Sequence, residues 1–164
     1  MRLRILPIFT IMKTASIGEI KRELQEKNNS ELAEYCLRLS KFKKENKELL
    51  TFLLFEADDI SSHVENIKKE IISSFEEISN MHIYYVKKSI RKILRQVNKH
   101  IRIMGSKSVE AELLIQFCNC LKTFPGSLLK NKQVAKMYES QLSKVSKAIS
   151  SLHPDLQYDL GKQL

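Results

Sequence analysis

The sequence predicts an all-α fold of seven or eight antiparallel helices, in a compact bundle or a short HEAT-like stack. Three observations lead there. Apolar residues recur at helical spacing, and no segment alternates with period two over a useful length. Only four Gly and three Pro interrupt 164 residues, so few points break a helix. Candidate caps and turn residues separate the apolar stripes into pieces of ordinary helix length. Helices joined by short turns pack as antiparallel neighbours. Helix pairs of roughly 35–45 residues would also suit a HEAT-like stack, although no repeated residue pattern accompanies them.

Each element has a local reason. Ser16-Ile-Gly-Glu19 has the form of a capping box, in which hydroxyl and carboxylate each satisfy a backbone N–H. A short helix should run from there to about Lys27. Asn28-Asn29-Ser30 is turn chemistry, with Ser30 as the next cap. Leu32, Tyr35, Cys36, Leu39 and Phe42 form an apolar stripe. Leu49–Phe55 is apolar nearly all round, which predicts a central, buried helix; a break near Glu45-Asn46 is left open.

Asp58-Asp59 can begin a further helix, because carboxylates favour its positive end. Its inner face would be Ile60, Val64, Ile67, Ile71, Phe75 and Ile78. A basic helix follows from about His82 to Ile103, ended by Gly105-Ser106. Ser108 is the expected cap of a helix built on Val109, Leu113, Leu114, Phe117, Cys118 and Leu121, which Phe124-Pro125-Gly126 stops. Val134, Tyr138, Leu142, Val145, Ile149 and Leu152 mark a long amphipathic helix, and Pro154 suits the first turn of a terminal one.

Four runs, Lys44-Glu-Asn-Lys-Glu-Leu-Leu50, Leu53-Leu-Phe-Glu-Ala57, Lys87-Lys-Ser-Ile-Arg-Lys-Ile-Leu94 and Leu152-His-Pro-Asp-Leu-Gln-Tyr-Asp159, resemble a group of small, uncharacterised bacterial all-helical proteins. The resemblance covers most of the chain from Met12 onward. It implies a helical fold and a start at Met12, and it transfers no functional residue.

Composition narrows the class. Hydrophobic residues make up 43% of the chain and charged residues 29%, a balance of neither a disordered nor a membrane protein. At this length one domain, residues 12–164, can bury a core without disulfides or metals. Cys36, Cys118 and Cys120 lack Cys-x-x-Cys spacing, and the last two stand about 200° apart on a helix. Reduced, mostly buried thiols in a cytoplasmic protein are expected. Arg2 and Arg4 precede the apolar run Ile5–Met12, the form of a short secretory leader. Lys13 cuts that run and no small-x-small cleavage site follows, so residues 1–11 read better as an upstream extension. No apolar run approaches the ~20 residues that span a bilayer.

The net charge of +9 is local. Residues 1–77 hold 13 basic and 14 acidic groups, and residues 110–164 hold 7 and 5. Between Glu77 and Glu110 there is no acidic residue, but there are eight basic ones: Lys87, Lys88, Arg91, Lys92, Arg95, Lys99, Arg102 and Lys107. On a helical wheel the first seven fill an arc of roughly 140°, while Ile83, Val86, Ile90, Ile93, Leu94, Val97 and Ile101 fill a separate arc of roughly 100°. One helix therefore has a core face and a cationic face. The cationic face runs roughly 30 Å, long enough to meet several phosphates of a nucleic acid. Tyr84 lies within it and could stack on a base.

The expected function is non-enzymatic binding of a nucleic-acid backbone through Tyr84, Lys87, Lys88, Arg91, Lys92, Arg95, Lys99 and Arg102. Such contacts give affinity without sequence specificity. The alternative partner is an acidic protein surface, with the chain as an interaction or scaffold module. Glu65, Glu70, Glu76 and Glu77 could instead neutralise the cations from within. Docking on an anionic membrane would need the apolar arc that the core also needs, so no stable insertion is expected.

A further alternative comes from Glu31-x-x-Glu34 and Glu56-x-x-Asp59, which resemble the paired carboxylates that hold magnesium in all-α nucleotide pyrophosphatases. Fourteen acidic groups before residue 78 produce such spacings by chance. His63, His82, His100 and His153 form no i, i+4 ligand pair, and the chain has no Gly-rich phosphate loop and no Gly-x-Ser-x-Gly elbow. No catalytic residue, metal ligand or cofactor site is assigned. The tyrosines Tyr35 and Tyr138 and the phenylalanines are expected in the core.

Overall fold

Eight α-helices form among the described residues of the computed structural model, which are 14–79, 82–126 and 128–163, with Ile83 described by its backbone alone. The expectations for residues 1–11 and for a start at Met12 lie outside them. The helices are α1 (Ile17–Gln25), α2 (Asn29–Phe42), α3 (Lys44–Phe55), α4 (Ile60–Glu77), α5 (Ile83–Met104), α6 (Lys107–Thr123), α7 (Lys132–Ser150) and α8 (Pro154–Gly161). Short 3₁₀ turns at Ala57–Asp59 and Leu128–Lys130 complete the described secondary structure, and no described residue lies in a strand. The chain is an all-α protein, as its periodicity predicts.

Two compact units divide at Lys47–Glu48. In the first, α1 and α2 have no buried residue, and each begins with a capping box. Ser16 and Glu19 close the expected capping box, with the Glu19 carboxylate 2.7 Å from both the backbone N–H and the hydroxyl of Ser16. Those hydrogen bonds hold the Glu19 pKa below the usual carboxylate value. The cap of α2 is Asn28, two residues before the expected Ser30. Asn28 wins because Glu31 stands three residues on and returns a bond to its N–H at 3.0 Å, completing a second capping box. The break before α3 falls at Lys43, whose backbone is extended, and Asn46 Nδ2 donates across it to the Leu39 carbonyl at 2.9 Å.

The second unit contains the core, and its central helix is α6. Val109, Ala111, Leu113, Leu114, Ile115, Phe117, Cys118 and Leu121 are all buried, and α6 packs against α4, α5, α7 and α8. The expectation that Leu49–Phe55 would be the central helix is wrong. Only Phe52 of α3 is buried, while Leu54 is 63% and Phe55 79% exposed. The apolar run of α3 covers only two turns before Glu56 and the 3₁₀ turn end it, whereas α6 sustains its apolar circumference from Val109 to Leu121. Tyr35 and Phe42 are likewise exposed rather than core, although Phe75, Phe117 and Phe124 meet edge to face inside the unit.

Val64, Ile67, Ile71 and Phe75 of α4 are buried as predicted, and Asp59 caps that helix by accepting the Ser62 N–H at 3.0 Å. Lys68 pairs with Glu65 on its own helix at 2.8 Å and joins α4 to α6 through Glu112 at 2.9 Å. Partial burial would depress its pKa, but the two carboxylates together raise it. The residue before α6 is Ser106 rather than Ser108, whose hydroxyl instead donates to Glu112 at 3.2 Å. Pro154 occupies the first turn of α8, as expected.

Candidate nucleic-acid interface

Helix α5 begins where His82 Nδ1 accepts the Tyr84 N–H at 3.4 Å. It ends at Gly105, whose φ of 64° is a left-handed conformation that favours glycine. Between these caps its rotation is set by burial. Val86, Ile90 and Val97 are inside, with Ile93, Leu94, Ile101 and Met104 packed against the same core between α4 and α6. At roughly 25 cal/mol per Å² of apolar surface, turning this stripe outward would cost many kcal/mol. The opposite face is therefore held toward solvent.

Lys88, Arg91, Lys92, Arg95 and Arg102 are exposed on that face, and Lys87 is half-buried. Among the described residues none of these six forms an ion pair. Lys88, Arg91, Leu94, Arg95 and Asn98 line an open groove of about 530 Å³. Arg91 Nη2 reaches α7, donating to Gln133 Oε1 at 3.1 Å. Lys99 is different, because its Nζ lies 2.7 Å from the Glu48 carboxylate and both groups are partly buried. Lys107 lies beyond α5's C-terminal cap, 2.6 Å from Glu110.

The acids expected as internal counter-charges, Glu65, Glu70, Glu76 and Glu77, form no ion pair with the α5 cations among the described residues. Glu65 is engaged by Lys68, which helps hold its pKa below the carboxylate norm. Glu70 and Glu77 share a groove of about 600 Å³ between α4 and α5 with Lys92 and Lys99, without an ion pair across it. That groove lies on the flank of the cationic arc, while Lys88, Arg91 and Arg95 face the other groove.

Tyr84, placed on the cationic side by its spacing, is exposed. Its neighbour Tyr85 is exposed too, and the two rings meet edge to face with centroids 5.5 Å apart. Tyr85 was outside the sequence-based site because it falls just past the edge of the arc. The signal available was adjacency: two large rings on the outward side of one first turn. Gln133 carried no signal, being 42 residues from its partner.

Other candidates resolve into local roles. Glu31 and Asp59 serve as caps, and Glu56 lies 3.3 Å from His63. No three His, Cys, Asp or Glu side chains among the described residues gather as a metal site. His63 and His100 stand with ring centroids 6.3 Å apart, and His63 also meets Phe52. Cys36 is exposed, Cys118 is buried with its pKa pushed up to about 11, and Cys120 is half-buried with its pKa also raised by burial; all three are free.

Among the described residues no helix is long and apolar enough to cross a membrane. Comparison with known family models, curated proteins and solved structures finds no match to the chain. The functional reading therefore rests on the geometry of α5 alone.

Proposed function

We propose that the protein is a non-enzymatic nucleic-acid-binding protein and that the cationic face of α5 is its binding surface. Lys88, Arg91, Arg95 and Arg102 donate to successive phosphates, with Lys87 and Lys92 flanking them. The observation that supports this most is a division of labour on one helix. The apolar stripe is consumed by the core, while Lys88, Arg91, Lys92, Arg95 and Arg102 on the other side are exposed and enter no ion pair among the described residues. A row of exposed cations with no carboxylate paired to them attracts a polyanion and displaces its condensed counterions, a gain in entropy that depends on salt. Lys99 contributes less, because Glu48 already holds it.

The test is fluorescence anisotropy of labelled DNA and RNA with the parent chain and with Lys88, Arg91, Arg95 and Arg102 all changed to Glu. The parent should bind and the variant should not, with both melting alike. If the variant loses its fold, the cations are internal partners and the proposal fails. If the parent ignores nucleic acid, the arc returns to the acidic-protein reading.

A further inference from the structure

We infer that the nucleic acid bound by α5 is single-stranded, with Tyr84 and Tyr85 as a platform for its unpaired bases, an inference that rests on α5 being the nucleic-acid surface. Phosphate contacts alone do not separate a single strand from a duplex, because both present phosphates to a row of cations. A distinction needs groups that engage base faces. In a duplex those faces are covered by neighbouring base pairs; in a single strand they are open, and aromatic side chains can stack on them regardless of sequence.

Tyr84 and Tyr85 have the required properties. Tyr84 is 64% and Tyr85 59% exposed. Their rings touch at an angle of 82°, edge to face, which leaves most of their surface open. Among the described residues neither hydroxyl makes a hydrogen bond, and the core cluster includes neither ring. Isolated exposed rings are ordinary on protein surfaces, but these two are adjacent and share a flank with the cations. Tyr84 lies one turn before Lys88 and two turns before Arg91 on the same side of the helix. A strand laid along Arg95, Arg91 and Lys88 thus brings its next base to the tyrosines. The arc supplies charge and the rings supply preference for unpaired bases.

The experiment compares short labelled oligo(dT), oligo(U) and duplex DNA of equal length against the full chain. The parent should hold either single strand more tightly than the duplex. Tyr84→Ala with Tyr85→Ala should weaken single-strand binding by about fivefold to a hundredfold per stacked base, and leave duplex binding within about twofold. Tyr84→Phe with Tyr85→Phe should keep the preference. Tyr84→Leu with Tyr85→Leu, which keeps apolar bulk but no aromatic face, should lose it. Because the chain has no Trp, tyrosine emission can be followed directly and should be quenched by the single strands only. Unchanged single-strand affinity in the Ala and Leu variants, or an equal loss for strand and duplex, overturns the stacking role while the cationic surface stands. A parent that binds no nucleic acid overturns both.

Discussion

The setting of His100 links stability to pH in the weakly acidic range. Its imidazole is half-buried, and desolvation is the largest influence holding its pKa below the ordinary 6.5. Glu70 and Glu48 oppose that shift, while His63 and Lys99 add to it. The unfolded chain takes up a proton below about pH 6.5 that folded His100 resists. The stability contribution is therefore fully present above that pH, and it is lost as pH falls toward the depressed folded value. Thermal melts at about pH 7.5 and about pH 5.5 should show a lower melting temperature at the acid value. His100→Gln should reduce that difference, and an identical difference in the variant would contradict the assignment. Phe117 is a simpler case. It is fully buried at the centre of α6 and meets Phe75 edge to face at 5.6 Å. Phe117→Ala should cost about 3–5 kcal/mol, a fall in melting temperature of roughly 6–20 °C for a chain of this size.

Among the elements, α5 separates structural from available charge. Lys99→Glu would put a second carboxylate against Glu48 in a partly buried position, and a loss of more than about 1 kcal/mol is expected in urea unfolding. Arg95→Glu, exposed and without an ion pair among the described residues, should stay within about 0.5 kcal/mol of the parent. Equal costs for the two would mean that the arc is not divided in this way. The extent and faces of α5 were legible because the local signals agreed: Gly105 after it and two separate arcs along it; that His82 is its cap rather than its first residue emerged only from the fold. The cap of α2 was harder, since Asn28 and Ser30 are both good caps and the deciding group was Glu31. Lys99–Glu48 and His63–His100 were illegible, because residues 51 and 37 positions apart meet only through packing.

For the whole molecule, composition indicated the all-α class but not which helix would be central. Leu49–Phe55 and the middle of α6 are both apolar nearly all round, and periodicity does not rank two such segments. Their lengths and neighbours decided it. If α3 carries an open face, Leu54→Ser with Phe55→Ser should change unfolding free energy by less than about 1 kcal/mol. A buried central helix would lose several. The same consideration bears on charge: most of the chain is nearly neutral, and its excess is concentrated on one helix whose other side is committed to the core. The central claim is that this concentrated charge meets phosphates. The most direct test is the affinity for a labelled single strand, measured from low to physiological salt. With four phosphates engaged, log K should fall linearly with log salt at a slope of about −3, and reversing Lys88, Arg91, Arg95 and Arg102 should remove the binding without lowering the melting temperature. No binding at low salt, or the same affinity and slope in the reversed variant, would contradict the claim.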